Sequence, residues 1–260
     1  MPEVLSEMRG SALVITFNRP AHGNALTLEM ATALHNIIKN VTTDRSVRAL
    51  LLRGAGGNFM HGIEMNMYAG DVNIALERAN QLIMPYHSVV RELQAMEKPV
   101  IAAVDGEVAG PGISLMLASD FIIAARSTKF NCKFTSYAMS PDGGASYFLT
   151  RRVGIAKANE LLMLSETFTA EEAEKLNILN SIVDDAKLQD EALAWADKLA
   201  NGPTRAFGST KVLVAKAFEQ NLTTHLGLEH THWGACSRTF DFKEAVKAHQ
   251  AKRPAKFTGA

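Results

Sequence analysis

The sequence predicts an α/β core followed by an all-helical C-terminal region. Three observations carry this. In the first half, short apolar runs such as SALVITF, VRALLL and KPVIAAV alternate with longer stretches whose apolar residues recur at helical spacing. From about residue 144 the pattern is helical almost throughout. The 260 residues, 47% hydrophobic and 21% charged, suffice for one large packed core or a core with a small appendage.

Taken in order, SALVITFNRP reads as a strand closed by Asn18, Arg19 and Pro20. LTLEMATALHNIIKN predicts a helix over about 26–40. VRALLLRGAGG is a short strand running into glycines. ALERANQLIMPYHSVVRELQAMEK is a long amphipathic helix with a bend expected at Pro85. KPVIAAVDG is a buried strand, GPGISLMLASD a short buried helix, and DFIIAARSTKF a return to strand. Helical segments follow: ASYFLTRRVG, KANELLMLS, AEEAEKLNI, LQDEALAWADKLANG, TRAFGSTKVLVAKAF, NLTTHLGLEHTHWGACSRTF and DFKEAVKAHQAKR. Gly202-Pro203 is the predicted break, dividing a core over 1–200 from a helical region over 201–260.

Composition excludes several functions. Lys+Arg and Asp+Glu are balanced at 27 each, so no excess of positive charge favours nucleic acid or an anionic membrane. Cys132 and Cys236 have no metal-like spacing, and a reduced, cytoplasmic protein is expected. MPEVLSEMRG lacks the apolar stretch of a signal peptide, and no run is long enough to span a bilayer. GEVAGPG fails the dinucleotide fingerprint, and no Gly-Lys-Ser/Thr follows for a P-loop. GISLM breaks the nucleophile-elbow pattern, which argues against Ser114 as a hydrolase nucleophile. His225, Glu229 and His232 share a helix face by spacing, but a solvated or subunit-contact face is favoured over a metal site.

Two stretches invite chemistry. Two strands end in glycine and lead into GGNFMHGIEM and VDGEVAGPGISL. Glycine allows backbone to approach a ligand, and free N–H groups at a helix start point outward. Two such sites aimed at one oxygen form an oxyanion hole. Spacing alone does not distinguish this from a tight packing elbow. The other stretch is SPDGGASYFL, where Asp142 precedes a helical run. It is either a helix cap or a catalytic carboxylate.

With these motifs in view, the sequence resembles the enoyl-CoA hydratase/isomerase, or crotonase, superfamily. The resemblance rests on NRPAHGNAL, RGAGGNFMHGIEM, KPVIAAVDGEVAGPGISLMLASDFIIAA, SPDGGASYFLTRRVG and LSETFTAEEAEKLNILNSIV, in that order, and on the ending AKRPAKFTG. It implies a spiral of ββα units with a C-terminal helical region that mediates assembly into trimers or paired trimers. It implies acyl-CoA thioesters as ligands and no separate cofactor, coenzyme A being part of the substrate.

By position, the resemblance makes the amide of Ile63, after Gly62, the first oxyanion donor. The second falls on Pro111, which has no N–H, so the amide of Gly112 is the expected substitute. Ala25, His61 and Met65 match positions near the adenine part of CoA. Lys256 and Phe257 match a segment that closes over CoA, sometimes from a neighbouring subunit. The two glutamates of the hydratases correspond to Ser114 and Phe134, which cannot activate water. Asp142 resembles the single acid of the Δ3,Δ2-enoyl-CoA isomerase branch and of the isomerase acting on an epoxide of phenylacetyl-CoA. Met60, Met65, Met67, Phe134, Tyr137 and Phe148 are expected as apolar walls. The related aryl-CoA dehalogenases use a histidine on the helix before KPVIAAV; Arg91 takes that place by register, with His87 one turn away. A binding protein that kept the fold and lost the chemistry is the remaining alternative.

Overall fold

The computed structural model describes residues 1–260, the side chain of Val72 excepted. Its main sheet has six strands in the order β1-β2-β3-β4-β6-β9. These are β1 (Val4–Arg9), β2 (Ala12–Phe17), β3 (Ala49–Gly54), β4 (Val100–Val104), β6 (Phe121–Ala125) and β9 (Ser181–Val183). β1 pairs antiparallel with β2 at one edge, and every later pairing in this sheet is parallel. A second sheet joins β5 (Glu107–Ala109), β7 (Lys129–Asn131) and β8 (Phe168–Thr169), with β7 in the middle.

The chain alternates between the sheets. β4 feeds β5 and then α3 (Pro111–Leu117); β6 feeds β7 and then α4 (Ala145–Leu164). This is the expected spiral of ββα turns. The DFIIAARSTKF run, read from sequence as one strand, is two. It breaks at residues 126–128, where Thr128 Oγ1 donates to the Val104 carbonyl (3.1 Å) and the chain crosses to the smaller sheet. Continuous hydrophobicity across that turn hides it from pattern reading.

Alternation along each strand serves two cores. Val100, Ala102 and Val104 face the larger one, with α1 (Leu28–Thr43), α2 (Val72–Ala95) and the buried parts of α3 and α4. Ile101 and Ala103 face the other side, where α6 (Leu188–Ala200) presents Ala192, Ala196 and Ala200 at four-residue spacing. These small side chains let α6 lie close against the sheet. The α1 start is set by Thr27, whose hydroxyl accepts the Met30 N–H at 3.0 Å, two residues later than the sequence reading. α2 runs unbroken through Pro85. α4 is interrupted at Gly154, whose φ of 78° only glycine adopts freely.

α5 (Ala170–Lys175) precedes β9. After α6, Gly202-Pro203 leads into α7 (Thr204–Lys216), α8 (Leu222–Cys236) and α9 (Phe240–Gln250). α7 is tied to the core by Lys211, whose Nζ donates to Asp120 Oδ2 (2.8 Å) and to the Leu93 carbonyl (2.5 Å). α8 buries no residue, and Val214, Phe218, Leu222, Leu226, Trp233 and Phe240 are exposed. No helix among the described residues is long and apolar enough to cross a membrane.

Candidate active site

Two backbone turns lie side by side at the end of β3 and β5. After β3 the chain forms ladder-like contacts with both neighbours. Ala109 N–H donates to the Met60 carbonyl (3.0 Å), Leu26 N–H to Gly62 (2.8 Å), and Glu64 N–H to Leu26 (2.9 Å). That pairing leaves the Ile63 N–H with no acceptor among the described residues. Gly62, at φ 136°, makes the turn. The second turn is Gly110, at φ 50°, with Pro111 opening α3. The Ile113 and Ser114 amides both return to the Gly110 carbonyl (3.0 and 3.3 Å), whereas the Gly112 N–H likewise has no acceptor among the described residues. A Cβ on Gly110 would stand 3.8 Å from the Gly62 Cα, and one on Gly112 would stand 2.2 Å from the Met60 carbonyl oxygen. The turns are therefore neighbours, and position 112 has no room for a side chain.

Asp142 sits on the turn before α4, and it is not that helix's cap: Gly144 is, without a side-chain bond. Its Oδ1 accepts the Gly143 N–H (2.6 Å) and is in contact with His87 Nε2 on α2. Oδ2 has no partner among the described residues. The side chain is about a third exposed, at 35%. The turn itself is pinned, because Ser114 Oγ donates to the Asp142 carbonyl at 2.6 Å. Gly143 has φ 60° and is wedged against the fully buried Tyr86 ring, whose hydroxyl donates to the Pro111 carbonyl (2.6 Å). Burial, and then the Asp142 charge, push the Tyr86 phenol well above its ordinary pKa; Tyr68 is shifted the same way by the same two causes. Both phenols stay protonated at neutral pH.

His87 corrects the sequence reading that set it one turn too far from the acid. The α2 helix places His87 on Asp142, while Arg91 turns to Ser88 Oγ (3.1 Å). Where a helix face meets a distant loop depends on how the helix packs. Here the neighbouring Tyr86 anchors α2 in the core beneath the 142–144 turn. Tyr68 and Tyr86 were also unmarked in the sequence; only their proximity to Asp142 singles them out.

The other expected residues divide. Met60 is fully buried, Phe134 is buried, and Met67 and Phe148 pack against the larger core. Met65 and Tyr137 are exposed, Tyr137 by more than half, so within one chain neither is walled in. Ser114 is fully buried with its hydroxyl committed to the turn. Ala25 gives its carbonyl to Arg19 (2.7 Å). His61 Nε2 lies 3.1 Å from Glu107 and 3.0 Å from Lys133 Nζ, which in turn bonds Glu107 at 2.5 Å. It joins the Gly62 turn to the smaller sheet.

Lys256 and Phe257 are elsewhere. The Lys256 N–H donates to Glu244 and the Phe257 carbonyl accepts from Arg48 (3.1 Å), just before β3 begins. The Gly62 turn follows the other end of that strand, about 20 Å away at about 3.3 Å per residue. Within one chain these two do not reach Asp142. His225 and Glu229 stand 3.7 Å apart, and no group of three or more metal-competent side chains occurs among the described residues. A cleft of about 440 Å³ lies between α3, α4 and α7, bordered by Leu117, Phe148, Arg151, Phe207, Lys211 and Phe218. None of Asp142, Ile63 and Gly112 lines it.

Known proteins agree with the fold. The chain is 36% identical to the 1,2-epoxyphenylacetyl-CoA isomerase of Escherichia coli over 100% of its length and 99% of that protein's. It is 33% identical to a probable enoyl-CoA hydratase of Rhodobacter capsulatus, covering 97% of this chain and 96% of that one. The crystal structure of an enoyl-CoA hydratase from Polaromonas sp. JS666 superposes with a TM-score of 0.92 at 30% identity, over 97% and 98% of the two chains. The family model described as enoyl-CoA hydratase/isomerase matches residues 7–260, and the chain belongs to that family, with the crotonase fold.

Proposed function

We propose that the protein is an acyl-CoA isomerase that converts a 3-enoyl-CoA, or a related ring-opened or epoxide acyl-CoA, through an enolate. The thioester oxygen lies on the Ile63 and Gly112 amides, and Asp142 moves the proton. The observation that carries this is a carboxylate with one oxygen tied and the other free, on a turn that Ser114 bonds to α3, where the Gly112 N–H, like that of Ile63 on the neighbouring turn, lacks an acceptor among the described residues. The C2–H bond breaks toward Asp142, charge moves to the thioester oxygen, and the same acid delivers its proton to C4. Atoms balance without a cofactor.

Water addition is disfavoured by the residues present. Ser114, in one glutamate position of the hydratases, spends its hydroxyl on a backbone carbonyl; Phe134, in the other, carries no proton. The relative named as an isomerase supports this reading, while the relative named as a hydratase keeps the alternative in the test. A second reading has one observation in its favour. The His87 contact suits an aryl-CoA dehalogenase-like reaction, in which Asp142 Oδ2 displaces a leaving group and His87 helps water hydrolyse the ester. Assembly as trimers or paired trimers belongs to the same proposal, through the exposed apolar residues of α7–α9. Light scattering gives the mass.

The deciding experiment incubates the purified protein with 3-enoyl-CoA and 2-enoyl-CoA and follows double-bond position by chromatography and mass by spectrometry. Isomerisation at constant mass is expected. Asp142→Asn keeps the Oδ1 contacts through its carbonyl and is expected to lower turnover about 10²- to 10⁴-fold while still binding CoA esters. Gain of one water by the 2-enoyl ester would replace the isomerase reading with a hydratase. Binding without conversion would leave an acyl-CoA-binding protein.

A further inference from the structure

Asp142 has two oxygens in different situations, and His87 is the group that makes them different. An ionised carboxylate only accepts hydrogen bonds. The ring nitrogen on Oδ1 is therefore the protonated one, so Oδ1 receives two donors, His87 Nε2–H and Gly143 N–H. The two donors come from unrelated segments, α2 and the turn before α4, so together they fix both the position and the rotation of the carboxylate. Only Oδ2 is left to take a proton.

We propose that His87 is a positioning residue for the isomerisation: it holds Asp142 so that Oδ2 alone shuttles the proton between C2 and C4. This rests on the reading of Asp142 as the base. In the first half-step the C2–H bond breaks and an Oδ2–H bond forms; in the second that bond breaks and C4–H forms. His87 neither gains nor loses a proton overall.

The titratable and charged groups around the pair are few. Tyr86 and Arg91 share α2 with His87; the Tyr86 ring is 6.3 Å away and Arg91 is turned to Ser88. Tyr68, from the 65–68 turn, comes within the field of Asp142. Neither phenol ionises near neutral pH. His87 itself is 45% exposed, so replacing it removes little buried surface.

The test compares His87→Leu, His87→Gln and Asp142→Asn by steady-state kinetics, with circular dichroism to check the fold. His87→Leu is expected to lower kcat about 10- to 100-fold, the effect of a catalytic group displaced by roughly 1 Å, with KM within about twofold. A loss confined to kcat, with the fold intact by circular dichroism, is a split that a purely structural defect would not give. His87→Gln, which retains a donor amide, restores most of the rate. Wild-type kcat in His87→Leu would overturn the proposal, as would equal loss in the leucine and glutamine variants. Retained turnover in Asp142→Asn would instead remove the reading on which it rests. An inactive Asp142→Asn beside a wild-type His87→Leu would remove only the role of His87.

Discussion

Gly143→Ala tests whether the acid is held by the fold as described. Gly143 has φ 60°, and a Cβ there would stand 2.4 Å from Tyr86 Cε1 and 2.9 Å from both Ser114 Cβ and the Tyr86 hydroxyl oxygen. Two costs add. The left-handed backbone costs a non-glycine residue about 1–2 kcal/mol. Forcing a methyl into a filled core costs about 1–3 kcal/mol more. Gly10 separates them: its φ is 59°, and a Cβ there meets nothing within 4 Å. Gly10→Ala should therefore show the backbone cost alone. Chemical denaturation of both variants is expected to place Gly143→Ala about 1–3 kcal/mol below Gly10→Ala. The strain is relieved by moving the turn that carries Asp142, and a shift of about 1 Å costs about 10²-fold in rate. Gly143→Ala should lose that turnover with CoA-ester affinity retained, and Gly10→Ala should lose none. Equal stability and equal activity in the two variants would refute the account of how Asp142 is positioned.

Two further outcomes follow from buried charge. Lys211→Met leaves Asp120 with one donor, the Val100 N–H, and is expected to cost about 3–5 kcal/mol in urea unfolding; adding Asp120→Asn recovers much of it. The Asp120 pKa is already raised by burial and held back by Lys211, so losing the lysine raises it further, and the penalty should shrink as pH falls. Asp105, at the end of β4, is pushed up to about 6 by burial, and its Oδ1 has no hydrogen-bond partner. An acid raised in the folded state favours folding below its unfolded pKa and loses that contribution as pH rises through about 6. Asp105→Asn should therefore stabilise the protein by about 1 kcal/mol at pH 8, reduced by partial exposure, and by nothing near pH 4 when melts are compared.

Much of the site was legible because it is local. Gly62 and Gly110 are needed by their own turns, and SPDGG marks a loop before a helix whatever packs against it; Gly112 is needed because the distant Met60 carbonyl approaches it. Once the resemblance puts the second donor at Pro111, the chemistry of proline rules it out and makes Gly112 the expected substitute. The missed features are long-range. His87 is 55 residues from Asp142 and reaches it only because α2 is packed under the 142–144 turn. The split of 120–130 into two strands was hidden for the same reason: both halves are apolar, and only the second sheet distinguishes them.

The amino-acid order alone determined most of the alternating elements, the helix break at Gly202-Pro203 and the family, and it singled out Asp142 as the candidate acid, since each depends on neighbours in the chain. Tertiary structure decided which oxygen of Asp142 is free, which amides lack acceptors, and that Lys256 and Phe257 lie at the far end of the sheet from Asp142 in the same chain. Hydrogen-bond satisfaction is a property of groups meeting in space, and a sequence carries residue types and spacing but not those meetings.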